Sequence, residues 1–311
     1  MTYSGAEIRP VLVGVGDRED EEYVVRQAAE EAVRRGTGVR LLHVVDWPPP
    51  AGAALSPQVV AQTVTAPYVL LLQAEYPRVP VWQTWGSGSP APLLVENAED
   101  AVLCVLGHRG HRGPARLTAG SVALHVAGQA SCPVLVVKPE REAEHAGKAG
   151  GPVIEQAGRR TGVVAGVEGT DPAEQVLDFA FAEAQLRGTT LEIVHADHRP
   201  QVLPPGLAPP EQSDLAGITN AEIRVLETRI GPLRDRYRDV QVSVRIEHTG
   251  PVPALLDAGL GAAVVVVGSH GRTGIRRLII GSVSSEILHR AACPVMVVPA
   301  AGPPAGHGAD G

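Results

Sequence analysis

Short runs of β-branched and aliphatic residues recur along this chain, separated by stretches with helical spacing. Val11–Val15 (V-L-V-G-V) is the first such run, followed by the turn Gly16-Asp17-Arg18-Glu19-Asp20. Over Glu22–Arg35, Val24, Val25, Ala28, Ala29, Ala32 and Val33 fall on one side of a helix. Gly36 and Gly38 stop it, and Val39–Val45 makes a second strand. Strand, helix and strand joined by short turns predict a right-handed crossover and parallel pairing. Beyond the Pro-rich loop Trp47–Pro57, the stretch Gln58–Tyr76 reads as a helix that Pro67 should kink or split. Val79–Trp85 then reads as strand three, Leu93–Asn97 as a short helix, Val102–Leu106 as strand four and Val134–Val137 as strand five. Continuous apolar runs of this kind mark strands buried on both faces.

The series then restarts. Glu140–Arg160 carries charge, alanine and glycine without apolar periodicity, which predicts an exposed linker. Gly162–Val167 reads as a strand, Pro172–Arg187 as a helix and Thr190–Ala196 as a strand; the Pro-rich loop Arg199–Pro210 follows. A long helix over Glu211–Arg238, a strand over Val240–Ile246 and a short helix over Pro253–Ala258 lead to Val264–Val267. His43 and His195 occupy the same position in their strands, and Gly120-Ser121 and Cys132-Pro133 fall on Gly281-Ser282 and Cys293-Pro294. A repeat this long sets the architecture: domains over 1–140 and 161–300, a linker over 141–160 and a disordered tail over 301–311.

The stretch between strands four and five carries the chemistry. After Val264–Val267, the residues G-S-H-G-R-T-G hold Gly268, Gly271 and Gly274, and Gly281-Ser282 opens a helix over Ser282–Arg290. In the first half Gly107, Gly110, Gly113 and Gly120-Ser121 match them. Glycine leaves backbone N–H groups uncovered, and a helix start adds orphan donors and the positive dipole end. Arg272, Arg276 and Arg277 add positive charge, so the loop suits a phosphate. The alternative is a tight turn in which Ser282 only caps the helix.

The pattern G-x2-G-x9-G-S between two apolar strands, ending in C-P-V-x-V-V, resembles the ATP-binding class of universal stress proteins, and the resemblance covers both halves. It implies an α/β fold of two tandem, open-twisted, five-stranded parallel sheets. These would be Rossmann-like, related to the adenine nucleotide alpha hydrolases, with strand order 3-2-1-4-5. Ligands of such sheets bind beyond the carboxyl ends of the strands at the switch point. In the second domain the resemblance implies a nucleotide site of Val167, Glu168, Ala196, Val267, Gly268, His270, Gly271, Gly281, Ser282, Val283 and Ser284. In the first it implies Val15, Gly16, Val44, Leu106, Gly107, Arg109, Gly110, Gly120, Ser121 and Val122.

The two sites differ in ways that matter to a nucleotide. The family's strand-one aspartate becomes Glu168 in the second domain, which keeps an acceptor on a longer arm. In the first domain it becomes Gly16, which has none. Asp17 is displaced by one residue and should point elsewhere. Ser284 supplies a hydroxyl that its counterpart Ala123 lacks, whereas Arg109 stands where the second domain has His270 and can pair with a phosphate. Weaker binding by the first domain follows.

Composition narrows the function. Of 311 residues, 44% are hydrophobic and 20% charged, enough for two soluble cores. A net charge of −7 and 3% aromatics argue against a nucleic-acid binder. No run reaches membrane-spanning length, and no signal peptide is visible, so no membrane partner is expected. Three cysteines cannot close a disulfide framework, which fits the cytoplasm. Cys132 and Cys293 read as packing residues, and His43 and His195 as buried strand histidines bonded locally, with no zinc spacing. The P-loop lysine motif is absent, as is a paired-carboxylate magnesium site, although Glu168 could hold Mg2+ through phosphate oxygens. The expected activity is regulatory binding of ATP, ADP or AMP in a stress response with little or no turnover. A weak ATP hydrolase and a ligand-free interaction module stay open. Strand five should lie at an uncharged sheet edge, so the two such edges are expected to pair as an intrachain pseudo-dimer. A homodimer of whole chains and the identity of protein partners are left open.

Overall fold

The computed structural model describes residues 9–16, 21–45, 56–108, 120–138, 161–167, 173–196, 212–248, 250–269 and 280–300. The expected linker, the tail and both Pro-rich loops lie almost wholly outside them. In the first domain, strands β1 (Val11–Gly14), β2 (Val39–Val45), β3 (Val81–Ser87), β4 (Leu103–Gly107) and β5 (Val134–Val137) alternate with four α-helices. These helices are α1 (Glu21–Arg35), α2 (Pro57–Glu75), α3 (Pro90–Asn97) and α4 (Ser121–Gln129). The second domain repeats the order with β6 (Val163–Val167), α5 (Ala173–Arg187), β7 (Leu191–Ala196) and α6 (Gln212–Arg236). It continues through β8 (Val242–Glu247), α7 (Pro251–Ala258), β9 (Val264–Gly268), α8 (Ser282–Arg290) and β10 (Val295–Val298).

The strands of the first domain pair in parallel in the order 3-2-1-4-5, and β8-β7-β6-β9-β10 reproduces it in the second. Between the domains, β5 pairs antiparallel with β10, Leu135 standing opposite Met296. A single ten-stranded sheet results, β3-β2-β1-β4-β5-β10-β9-β6-β7-β8. All strands of one domain therefore run against those of the other.

Both faces of this sheet are covered, which explains the unbroken apolar runs. Val11, Val13, Leu135, Val163, Ala165 and Met296 face a core closed by α1, α2, α5 and α6, with Val25, Leu72, Phe181 and Ile230 among its fully buried members. On the opposite face Leu12, Cys104, Val136, Val265 and Val297 meet Leu94 of α3, Val126 of α4, Leu255 of α7 and Ile287 of α8. Each core is continuous across the β5–β10 junction.

Local rules set the helix ends. Helix α1 has Glu21 and Glu22 in its first turn and Arg34 and Arg35 in its last, complementing the helix dipole. It closes at Gly36 (φ 62°), with Thr37 N–H bonded to Ala32 O; Gly188 (φ 60°) and Thr189 repeat this closure after α5. Helix α2, in contrast, is a single helix through Pro67, so the split that the proline suggests does not occur. Pro67 and Thr63, whose carbonyl loses its intrahelical donor, are both exposed, and water can satisfy that oxygen. The inner face of α2, with Ala61, Thr65, Tyr68 and Leu72 buried, keeps the helix in place. Pro232 lies on an exposed position of α6 in the same way. Strand three begins at Val81, two residues later than its apolar pattern suggests.

Candidate functional site

Strands β1 and β4 are neighbours in the first sheet, and β6 and β9 in the second. Their carboxyl ends mark the point at which the strand order reverses, where parallel sheets leave a crevice. In the first domain Val15 and Leu106 are buried there, while Gly16 and Gly107 reach partial exposure. In the second, Val167 and Val267 are buried and Gly268 is partly exposed. Val44 and Ala196, at the ends of the adjacent strands, complete each floor.

The glycine-rich loop is anchored identically in both halves. His108 N–H donates to Val137 O (2.8 Å), and Gly120 N–H donates to His108 O (2.6 Å). In the second domain Ser269 N–H donates to Val298 O (2.8 Å), and Gly281 N–H to Ser269 O (2.8 Å). His108 and Ser269 are both buried at the base of their loops. The helix therefore starts directly beside the end of strand four. With the glycine N–H committed, helix geometry leaves the amides of Ser282, Val283 and Ser284 without intrahelical acceptors, and likewise those of Ser121, Val122 and Ala123.

Gly120 (φ −61°, ψ 146°) and Gly281 (φ −58°, ψ 149°) are the N-cap residues of α4 and α8. Ser282 is thus the first helical residue and not the cap, and it is exposed, as is Ser121. These dihedrals are open to any L-residue, so backbone conformation does not require glycine at either position. What glycine provides is a bare approach to the first turn of the helix.

Among the described residues, two positions bear most on the difference between the sites. The Ser284 hydroxyl is buried and donates to Gly268 O at 2.5 Å, tying α8 to the end of β9. Ala123, its counterpart, is buried and has no hydroxyl to make that bond. At Gly16, a side chain would enter space held by Glu21, whose Oε1 lies 3.0 Å from the position a Cβ would take. Glu21 was not a candidate from the sequence. Its part emerges only once the start of α1 folds back over the end of β1.

The strand histidines are bonded locally, as the sequence suggests, but they are half-buried rather than buried. The Nδ1 of His43 lies 2.8 Å from Val15 O, and that of His195 lies 3.1 Å from Val167 O. A bond to a carbonyl requires the proton on Nδ1, and each ring thereby holds the chain at the carboxyl end of strand one, at Val15 just past β1 and at Val167, the last residue of β6. Cys104, Cys132 and Cys293 are buried free thiols; burial pushes Cys132 up to about 11 and Cys104 well above the ordinary range. They pack, and are poor nucleophiles. No group of three metal-ligating side chains occurs among the described residues. Asp17, Arg109, Gly110, Glu168, His270, Gly271 and the arginines at 272, 276 and 277 lie outside the described residues.

The profile of the universal stress protein family matches residues 7–138 and again 160–299. The chain belongs to that family. Its two matches coincide with the two strand-order repeats. A universal stress protein of Mycolicibacterium smegmatis is 31% identical over 302 residues, covering 93% of this chain and 96% of the relative. One from Mycobacterium tuberculosis is 30% identical over 299 residues, covering 92% and 96%. Among solved structures, a universal stress protein from Archaeoglobus fulgidus aligns over 95% of this chain and all of its own (100%), with a TM-score of 0.61 at 17% identity. That likeness concerns the fold. The tandem arrangement is thus shared by universal stress proteins of nearly the same length.

Proposed function

We propose that this universal stress protein binds an adenine nucleotide, ATP with ADP or AMP as alternatives, and acts in a stress response as a regulatory nucleotide-binding protein. The second domain is the principal site. The observation that carries this reading is Gly281: a glycine without a conformational need for it, set at the start of α8 beside the end of β9. Three amides without intrahelical acceptors and the exposed Ser282 hydroxyl stand at that point, a donor set suited to phosphate oxygens. Glu168, Val167 and Ala196 would hold the nucleoside at the ends of strands one and two, and His270 and Gly271 would flank the phosphates. Magnesium, if carried, would be held by the phosphates and Glu168. Little or no turnover is proposed, because the P-loop lysine is missing from the sequence. We further propose that the chain is cytoplasmic and that the β5–β10 pairing persists in solution as an intrachain pseudo-dimer.

The first domain supports a different reading. Gly16 offers no acceptor, Glu21 presents a carboxylate at that place, and Ala123 replaces a serine. A ligand-poor module fits these residues better than a second equal site.

Mass analysis of ligand extracted from the purified full chain, followed by calorimetric titration with ATP, tests the proposal. Gly281→Val should lower ATP affinity at least about tenfold, since the loss of one or more charge-assisted hydrogen bonds is of that order. Valine tolerates the observed dihedrals, so the loss would report on ligand approach and not on backbone strain. Unchanged affinity in a folded variant would remove the loop from the site. Steady phosphate release by the unmodified chain would overturn the low-turnover part.

A further inference from the structure

Helix α8 carries the candidate phosphate site at its first turn, yet it is held at both ends by the other domain. At its far end, the buried Lys138, one residue past β5, donates its Nζ to Ala291 O (2.7 Å) and His289 O (3.1 Å). These carbonyls belong to the terminus where the helix dipole is negative, so the ammonium both satisfies them and complements the dipole. At its near end, Gly128 of α4 packs against Ile280, the residue before Gly281. A Cβ at 128 would stand 3.2 Å from Ile280 N and 3.6 Å from its Cα. The fit therefore depends on glycine for its closeness, with no positive φ to explain it.

The arrangement is one-sided. The counterpart of Lys138 in the repeat is Pro299, which has no side-chain donor to offer the end of α4. Lys138 is also joined to the first domain's own loop. Val137 accepts the N–H of His108, whose carbonyl in turn accepts the N–H of Gly120. A short covalent and hydrogen-bonded path thus runs from the base of the first loop to the end of α8.

We infer that the first domain positions the anion-binding helix of the second, with Lys138 and Gly128 as its positioning residues. This rests on the nucleotide reading proposed above. A domain poor in ligand contacts of its own then has a defined task, namely to fix where the donors of Ser282, Val283 and Ser284 point. It also gives the first loop a route for altering phosphate affinity about one helix length away.

The test uses the full chain with Lys138→Met, Lys138→Arg and Gly128→Val. Titration with ATP and with adenosine separates the phosphate contribution from that of the nucleoside. Lys138→Met should weaken ATP about fivefold, the scale of one charge at a helix terminus, while adenosine changes by less than about twofold. Lys138→Arg should restore most of the loss. A purely structural role would lower both ligands together, in proportion to the unfolded fraction. Hydrogen exchange read on peptides spanning 280–290 supplies a measurement independent of any ligand. Faster exchange there in Lys138→Met or Gly128→Val, relative to 121–129, supports the clamp. Unchanged exchange in both variants overturns it, as would equal losses for ATP and adenosine. If the unmodified chain binds neither ligand, the functional reading fails, and the exchange result alone decides the clamp.

Discussion

Replacing Glu31 with glutamine should be among the most damaging single changes of one polar atom in this molecule. Glu31 of α1 and Glu183 of α5 are nearly inaccessible (1% and 2%), and Arg35 and Arg187 beside them are only 10% and 11% exposed. Arg35 bonds Glu31 within its own helix and reaches Glu183 across the domain boundary at 2.6 Å. Arg187 bonds Glu183 at 2.7 Å and reaches Glu31 at 2.6 Å. Arg34 adds a third donor to Glu31 at 2.6 Å. The four groups form a closed ring of alternating charge between two helices related by the repeat. Burial raises the Glu31 carboxyl, but Arg187, Arg35 and Arg34 together outweigh it and hold the group below its usual 4.5. The Arg187 guanidinium is opposed by burial and sustained by Glu31 and Glu183.

Glu31→Gln would leave two buried guanidinium groups sharing one carboxylate. Breaking a buried pair costs about 3–5 kcal/mol, and the surviving Glu183 puts the expected loss near 3 kcal/mol. Urea unfolding followed by far-UV circular dichroism and by inter-domain fluorescence transfer would read it. A lowered pKa stabilises the fold above the unfolded value and loses that contribution as pH falls through the folded one. The wild-type chain should therefore lose stability progressively below about pH 4.5, and Glu31→Gln should flatten that part of the profile. A loss under about 1 kcal/mol, with the acid limb unchanged, would refute the reasoning, since that is the range of exposed pairs.

Two further outcomes are expected. Val136→Lys combined with Val297→Lys places ammonium groups in the core at the β5–β10 junction, where both valines are buried. Domain separation or aggregation should follow, read by small-angle scattering, and an unaltered scattering profile and melt would disprove pairing in solution. Gly16→Asp alone should not create nucleotide binding in the first domain, because the new carboxylate would meet Glu21 Oε1. Binding by that single variant at the affinity of the second site, with Gly281→Val in place, would contradict this view of Glu21.

Much of the architecture was legible because the sheet is buried on both faces. Val264–Val267 and Val134–Val137 could hardly be anything but interior strands, and the spacing of Gly120 and Gly281 located the loop. What escaped the sequence depends on contacts between distant residues. Pro67 reads as a helix breaker, and only the solvent on its side of α2 shows why the helix survives. Glu31 and Arg35 look like an ordinary surface pair four residues apart until the β5–β10 junction brings α1 against α5. Glu21 and Lys138 carry no motif, and their relevance comes from where the chain returns. The hydroxyl of Ser284, expected beside phosphate, is engaged with Gly268 O, a contact that composition cannot reveal.

The antiparallel join at β5 and β10 also governs access. Because the strands of one domain run against those of the other, their carboxyl ends open on opposite rims of the same ten-stranded sheet. A flat partner resting on one rim meets the strand ends of a single candidate site, since the carboxyl ends of the other domain's strands lie on the opposite rim. Any protein that responds to the states of both domains must wrap the sheet or act as two copies, one per rim.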